Sequence, residues 1–251
     1  MSANPWLKFP RSNPKASLRL FCLPFAGGGP STFQSWPKLL PEHVEVVAYA
    51  FPGRESRIKE ALIDNFDVLL DHLVNATIPY LDKPFAFFAH SMGAFIGYEL
   101  VKALERKGFN TRYLFVSGSR APHVSEEEHK LCALPDDELI EQLSTRYNAI
   151  PEIFLNDKQF MALLLPILRA DIGLIETYVY QESEGLHCPI FAFGSLEDPE
   201  TTDENVEGWR KHTHASFSTQ MFPGGHFYIN THQELLLSML SGILHLNNKA
   251  R

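Results

Sequence analysis

The sequence predicts an α/β fold, with a mostly parallel sheet covered by helices on both faces. Three observations carry this. Six strand-length segments recur along the chain, five of them largely apolar and the last, Phe217 to Phe222, alternating. Helical patterns fall between most of them, and that alternation implies parallel strands with crossover helices. The chain has 251 residues, 45% of them hydrophobic, enough for one domain with a large core and an insertion.

Strands are expected at 18–23, 44–50, 85–89, 113–117, 189–194 and 217–222. The first is followed by Phe25-Ala26-Gly27-Gly28-Gly29, a loop whose glycines permit backbone conformations that side chains would block. The third leads into a helical pattern from Ala94 to Leu104. More than 70 residues then separate the strand ending near Gly118 from Ile190, so an insertion is expected over about 122–178. Within it, Asp136 to Leu143 begins with acids, which suit a helix N-terminus. A second helix is expected to start with Asn156 as its cap and to run through Phe160, Leu164 and Leu168, with Pro166 kinking or breaking it. These apolar residues make the insertion a candidate lid over an acyl channel. The first ~17 residues and the stretch Asn247 to Arg251 are polar, and both ends are expected to be loose.

Ala89-His90-Ser91-Met92-Gly93 sits between the third strand and its helix. Strand, sharp turn and helix is the context of a nucleophile elbow, in which a serine is exposed on a strained turn. Ala89, Gly93, Ala94 and Gly97 are small enough to let helix and strand approach. Ala89 stands where the usual motif has Gly. His90 belongs to the elbow and is expected to pack beneath it.

A serine nucleophile needs a base and an acid, which in this arrangement follow in the order Ser, Asp or Glu, His. Asp198 lies just past the strand at 189–194, and His226 follows the strand at 217–222 through Pro223-Gly224-Gly225. Both are then at the sheet edge where ligands bind in open α/β folds. Glu197 and Asp203 compete for the acid's role. Asp198 is preferred because Pro199 favours an extended conformation for the residue before it. In this chemistry His226 would take the Ser91 proton and Asp198 would orient the imidazole. The backbone N–H of Met92 is one expected oxyanion donor, and Phe25 or Ala26 in the glycine loop supplies the second. That loop lacks the Lys-Ser/Thr of a phosphate-binding loop and the spacing of a dinucleotide fingerprint.

The chain resembles the stand-alone type II thioesterases of the α/β-hydrolase superfamily. The matching segments are Leu23 to Gly29, Phe51-Pro52-Gly53-Arg54-Glu55, the elbow, Leu168-Arg169-Ala170-Asp171, and Phe222 to Tyr228. The resemblance implies an α/β-hydrolase fold with a helical lid, and Ser91, Asp198 and His226 as its triad. It also implies hydrolysis of acyl thioesters on the phosphopantetheine arm of an acyl or peptidyl carrier protein. The setting would be editing in polyketide or nonribosomal peptide synthesis, or medium-chain release from fatty acid synthase. Asp171 is expected to be a structural hydrogen-bonding residue. A carboxylesterase on small free esters and a non-catalytic acyl-binding protein are the competing readings.

Composition narrows the partners. With 22 basic and 30 acidic residues the net charge is −8, which argues against nucleic acid. Carrier proteins are themselves acidic, so docking would need a local patch; Arg54, Arg57 and Lys59, or Lys102, Arg106 and Lys107, are the candidates. Cys22, Cys132 and Cys188 form neither a disulfide framework nor a metal-ligand spacing, and no metal or cofactor is expected. Cys22 and Cys188 read as small buried hydrophobes. No stretch is long and apolar enough to span a bilayer, and a cytoplasmic monomer is expected.

Overall fold

The computed structural model describes residues 4–124, 130–148, 150 and 152–246. Seven strands form one sheet: β1 (Leu7–Lys8), β2 (Leu18–Leu23), β3 (Val44–Tyr49), β4 (Phe85–His90), β5 (Leu114–Ser117), β6 (Ile190–Ser195) and β7 (Phe217–Phe222). Their spatial order is β1-β3-β2-β4-β5-β6-β7. Every pair is parallel except β1 with β3. The helices are α1 (Phe66–Thr77), α2 (Met92–Arg106), α3 (Asp136–Tyr147), α4 (Glu152–Leu155), α5 (Lys158–Glu176), α6 (Asp203–Glu207), α7 (Tyr228–Thr231) and α8 (Gln233–Leu246).

Strand alternation sorts side chains into two cores. Phe21, Leu23, Val47, Tyr49, Phe87 and Ala89 face the layer of α1 and α2. Leu20, Cys22, Val46, Ala48, Phe88 and Phe115 face the opposite layer, where Phe33, Trp36 and the α8 residues Leu236, Leu237 and Leu240 cover them. Strands buried on both faces read as continuous apolar runs, which is why β3 and β4 stood out in the sequence. The edge strand β7 differs: Ser218, Thr219 and Gln220 are exposed, and such residues discourage further strand pairing.

The structure departs from the sequence expectations at four places. Residues 4–17 are not loose, because β1 pairs antiparallel with the edge of β3 and Leu7 and Ala16 are buried. The tail at 247–251 lies outside the described residues. Helix α1, capped by Asn65 accepting from the Val68 amide at 3.0 Å, was not anticipated as an element. Helix α5 is capped by Asp157 rather than Asn156, with the carboxylate accepting from the Gln159 and Phe160 amides. Pro166 neither breaks nor ends α5. Pro166 and Ala162 are both exposed, so the carbonyl that loses its helical donor faces water. Buried Leu165, Ile167, Leu168 and Ile172 hold the two halves in line.

Between β5 and β6, α3, α4 and α5 enclose a small core of their own, built on Leu139, Leu143, Ile150, Met161, Leu165, Leu168 and Ile172. This segment sits over the C-terminal edge of the sheet, where the loops after β2, β4, β6 and β7 converge.

Candidate active site

Ser91 occupies the turn between β4 and α2 with φ +55° and ψ −121°, a conformation L-residues rarely hold. The turn is fixed by neighbours. The Ser91 amide donates to the Ser117 carbonyl at 2.8 Å. A Cβ on Gly93 would lie 2.7 Å from the carbonyl oxygens of Leu23 and Pro24, so only glycine lets α2 start this close to β2. His90 is buried beneath the elbow, its Nδ1 2.9 Å from Ser117 Oγ, which in turn lies 2.5 Å from the Tyr228 hydroxyl. Burial holds the His90 imidazole well below its ordinary pKa, and hence neutral.

The loops after β6 and β7 bring the other two residues in. His226 Nε2 lies 2.9 Å from Ser91 Oγ, and His226 Nδ1 lies 2.8 Å from Asp198 Oδ2. A carboxylate accepts, so the proton of that second contact sits on Nδ1 and leaves Nε2 to face the hydroxyl. The other Asp198 oxygen accepts from the Glu200 amide at 3.0 Å. Ser195 Oγ and the Glu197 amide donate to the carbonyls of Gly225 and Gly224, tying the two loops together. Asp198 and His226 are both buried, while Glu197 and Asp203 are exposed and directed elsewhere.

A pocket opens above Ser91. Phe25, Ala26, Met92, Phe95, Leu143, Leu168, Ile172 and Phe227 line its apolar walls, and Arg120, Tyr147, Glu176 and Glu200 supply polar groups.

The thioesterase domain family model matches residues 18–244. The chain belongs to the thioesterase family. It is 40% identical over 227 residues to the gramicidin S biosynthesis protein GrsT of Aneurinibacillus migulanus, covering 90% of this chain and 88% of GrsT. It is 38% identical over 247 residues to LgrE of Brevibacillus parabrevis, named a linear gramicidin dehydrogenase, covering 97% of this chain and 94% of LgrE. The glycine loop here runs Gly27-Gly28-Gly29-Pro30-Ser31-Thr32, without the third glycine of a dinucleotide fingerprint, so the dehydrogenase name is not carried over. Among solved structures, the type II thioesterase BorB from the borrelidin biosynthetic cluster superposes with a TM-score of 0.86 at 32% identity, covering 94% of this chain and 96% of BorB. The protein is thus a serine thioesterase, a hydrolase of acyl thioesters, on an α/β-hydrolase fold.

In the thioesterase, the other predicted residues divide. The amides of Met92, Phe25 and Ala26 donate to no partner among the described residues, and all three residues line the pocket. Leu168 lines it as well. Phe160 and Leu164 instead pack half-buried within the core of the insertion. The docking patches change more. Arg54 is buried and paired with Asp171, Arg57 is buried beside Glu60 and over the Trp6 ring, and Lys102 is buried beside Glu99. None of these three cations is available to a partner.

Tyr147 was missed by sequence reasoning. Its ring lies 4.9 Å from that of His226, and its hydroxyl donates to Glu200 at 3.2 Å. Arg120 also pairs with Glu200, at 3.4 Å. No motif marks Tyr147, because the tertiary fold of the insertion alone brings α3 over the base. Among the described residues no helix is long and apolar enough to cross a membrane.

Proposed function

We propose that this thioesterase releases acyl groups from the phosphopantetheine arm of an acyl or peptidyl carrier protein through a Ser91 acyl-enzyme. The observation that carries this reading is the position of His226, within hydrogen-bond distance of Ser91 Oγ on one side and Asp198 on the other. His226 Nε2 takes the proton as Ser91 Oγ attacks the thioester carbon, and returns it to the departing thiol. Asp198 holds the imidazole and stabilises its charged form. The amides of Met92 and of Phe25 or Ala26 receive the oxyanion. Water then repeats the sequence on the acyl-enzyme and frees the acid.

The chain acts as one domain in which residues of about 122–178 form the lid, with Leu168 on the channel wall. It works as a monomer in the cytoplasm. The names of GrsT and BorB support a biosynthetic setting, and the same reaction serves either editing of an assembly line or medium-chain fatty acid release. The triad meets the same atoms whether the arm belongs to coenzyme A or to a carrier protein. Any preference must therefore arise from contacts outside it.

The test compares one acyl group on both carriers. Higher kcat/KM on the carrier protein is expected. Equal efficiency would reject the carrier-dedicated reading, activity confined to small oxygen esters would return the carboxylesterase, and binding without turnover would return the acyl-binding protein.

A further inference from the structure

We propose that Asp171, locked by Arg54, is a positioning residue that sets the oxyanion-hole turn through the amide of Gly27. Three distant segments meet here: the loop after β2, the loop after β3 and the C-terminal half of α5. Arg54 Nη2 donates to Asp171 Oδ1 at 2.7 Å and Nη1 to Oδ2 at 2.5 Å. The same Oδ2 accepts from the Gly27 amide at 2.7 Å. Arg54 Nη1 also reaches the Gly28 carbonyl at 3.3 Å. The two side chains are 6% and 1% exposed, so water screens little of this.

Stability alone is a weak account of the pair. Two buried charges cost so much desolvation that apolar residues of similar volume often serve as well or better. The third hydrogen bond is what an apolar replacement could not make. It lands inside a turn in which the Gly28 amide donates to the Phe25 carbonyl at 2.9 Å and Gly27 has φ +80°. That angle at the third position is the mark of a type II turn. Type I and type II turns differ by a flip of their central peptide, here the one joining Ala26 to Gly27. In the observed orientation its N–H points to the Asp171 carboxylate. Flipped, the Ala26 carbonyl would face that same negative charge. Asp171 therefore selects one orientation by electrostatics, and Arg54 fixes the carboxylate that does so. Phe25 and Ala26, whose amides have no acceptor of their own among the described residues, are the first half of this turn. The flip itself leaves the peptides before it nearly in place, so what Asp171 fixes for these two amides is the position of the turn that carries them, before any substrate arrives, which is what an oxyanion hole requires.

The inference rests on the acyl-enzyme reading above, and its test separates the two. Active sites are counted by endpoint labelling with a fluorophosphonate, and kcat is expressed per labelled site. With Asp171→Asn and with Arg54→Lys, which loses the bidentate fork, kcat per site should fall about 10–100-fold, the scale of a misplaced catalytic group. KM should stay within about twofold. Affinity for a trifluoromethyl ketone, which forms a tetrahedral adduct, should fall by the same factor. The paired change Arg54→Met with Asp171→Leu removes both charges together, so it should fold and still be slow. Glu45→Gln, which breaks the buried pair with Arg19 at the far end of β3, should lower stability and leave kcat per site unchanged. Unchanged kcat per site and ketone affinity in the paired variant would overturn the proposal. Failure of the unaltered chain to label would instead overturn the Ser91 reading.

Discussion

Ala89 and Gly97 meet where β4 and α2 cross: a Cβ built on Gly97 would lie 2.8 Å from the Cβ of Ala89. The two positions share space for one methyl group. The elbow departs from the usual glycine at position 89 because the helix facing it carries a glycine at 97. Both residues lie within the buried layer between β2, β4 and α2, where extra volume has no outlet.

An exchange of the methyl tests this. Gly97→Ala should destabilise by about 1–3 kcal/mol, as overpacking of a filled core does. Adding Ala89→Gly should recover most of the loss, since contacting residues couple. Urea unfolding of the two single variants and the double variant measures the coupling. Additive effects would show that the backbones separate freely and that the departure at 89 needs no compensation.

Covalent labelling addresses Ser91. A fluorophosphonate should label the unaltered chain and fail on Ser91→Ala, with the fold kept. Labelling that survives the substitution would remove Ser91 from the mechanism.

Replacing Asp198 by Asn should cut kcat by about 10⁴, the scale seen when the orienting acid of such a triad is neutralised. The Asn amide can present an N–H to His226 Nδ1 and so favour the wrong tautomer. Glu197→Gln and Asp203→Asn should each change kcat by less than about threefold, because both side chains are exposed and make no contact with His226. A larger loss at Asp203 than at Asp198 would reassign the acid.

Stability should fall in mild acid because of buried histidines. His212 is held down to about 4 by burial first, then by His123, Lys102 and Lys211. Burial likewise holds His90 well below its ordinary value. A depressed folded-state pKa means that the unfolded chain binds the proton more readily. The contribution is therefore complete above about pH 6.5, the unfolded value, and is lost as pH falls toward 4. The midpoint of thermal unfolding should drop across that window. His212→Gln, which can still reach the Tyr98 hydroxyl and His123, should flatten the drop. An unchanged slope would mean that His212 is not protonated on unfolding.

What could be read from the residues alone was whatever local pattern encodes. Apolar runs of strand length marked β2 to β6, because strands buried on both faces admit few polar residues, and β7 at the edge was marked by the alternation of Phe217 to Phe222. Ser91, Asp198 and His226 were legible because each follows a strand in a fixed order, and a parallel sheet brings all such ends to one edge. Gly93 was legible as a small residue, since close approach at the elbow leaves room for nothing else. Tertiary structure decided the rest. The basic residues Arg54, Arg57 and Lys102 were candidates for a docking patch until folding buried them, because a charge pattern carries no record of depth. Pro166 looked like a helix break, yet its exposed face and buried neighbours let α5 continue. Tyr147 carries no motif and reaches His226 only because the insertion folds back over the sheet. The Gly27–Arg54–Asp171 contact joins residues 144 positions apart at its widest, and no periodicity reaches that far. Local propensity acts over a few residues, whereas burial, ion pairing and the aim of an amide depend on which segments the completed core presses together.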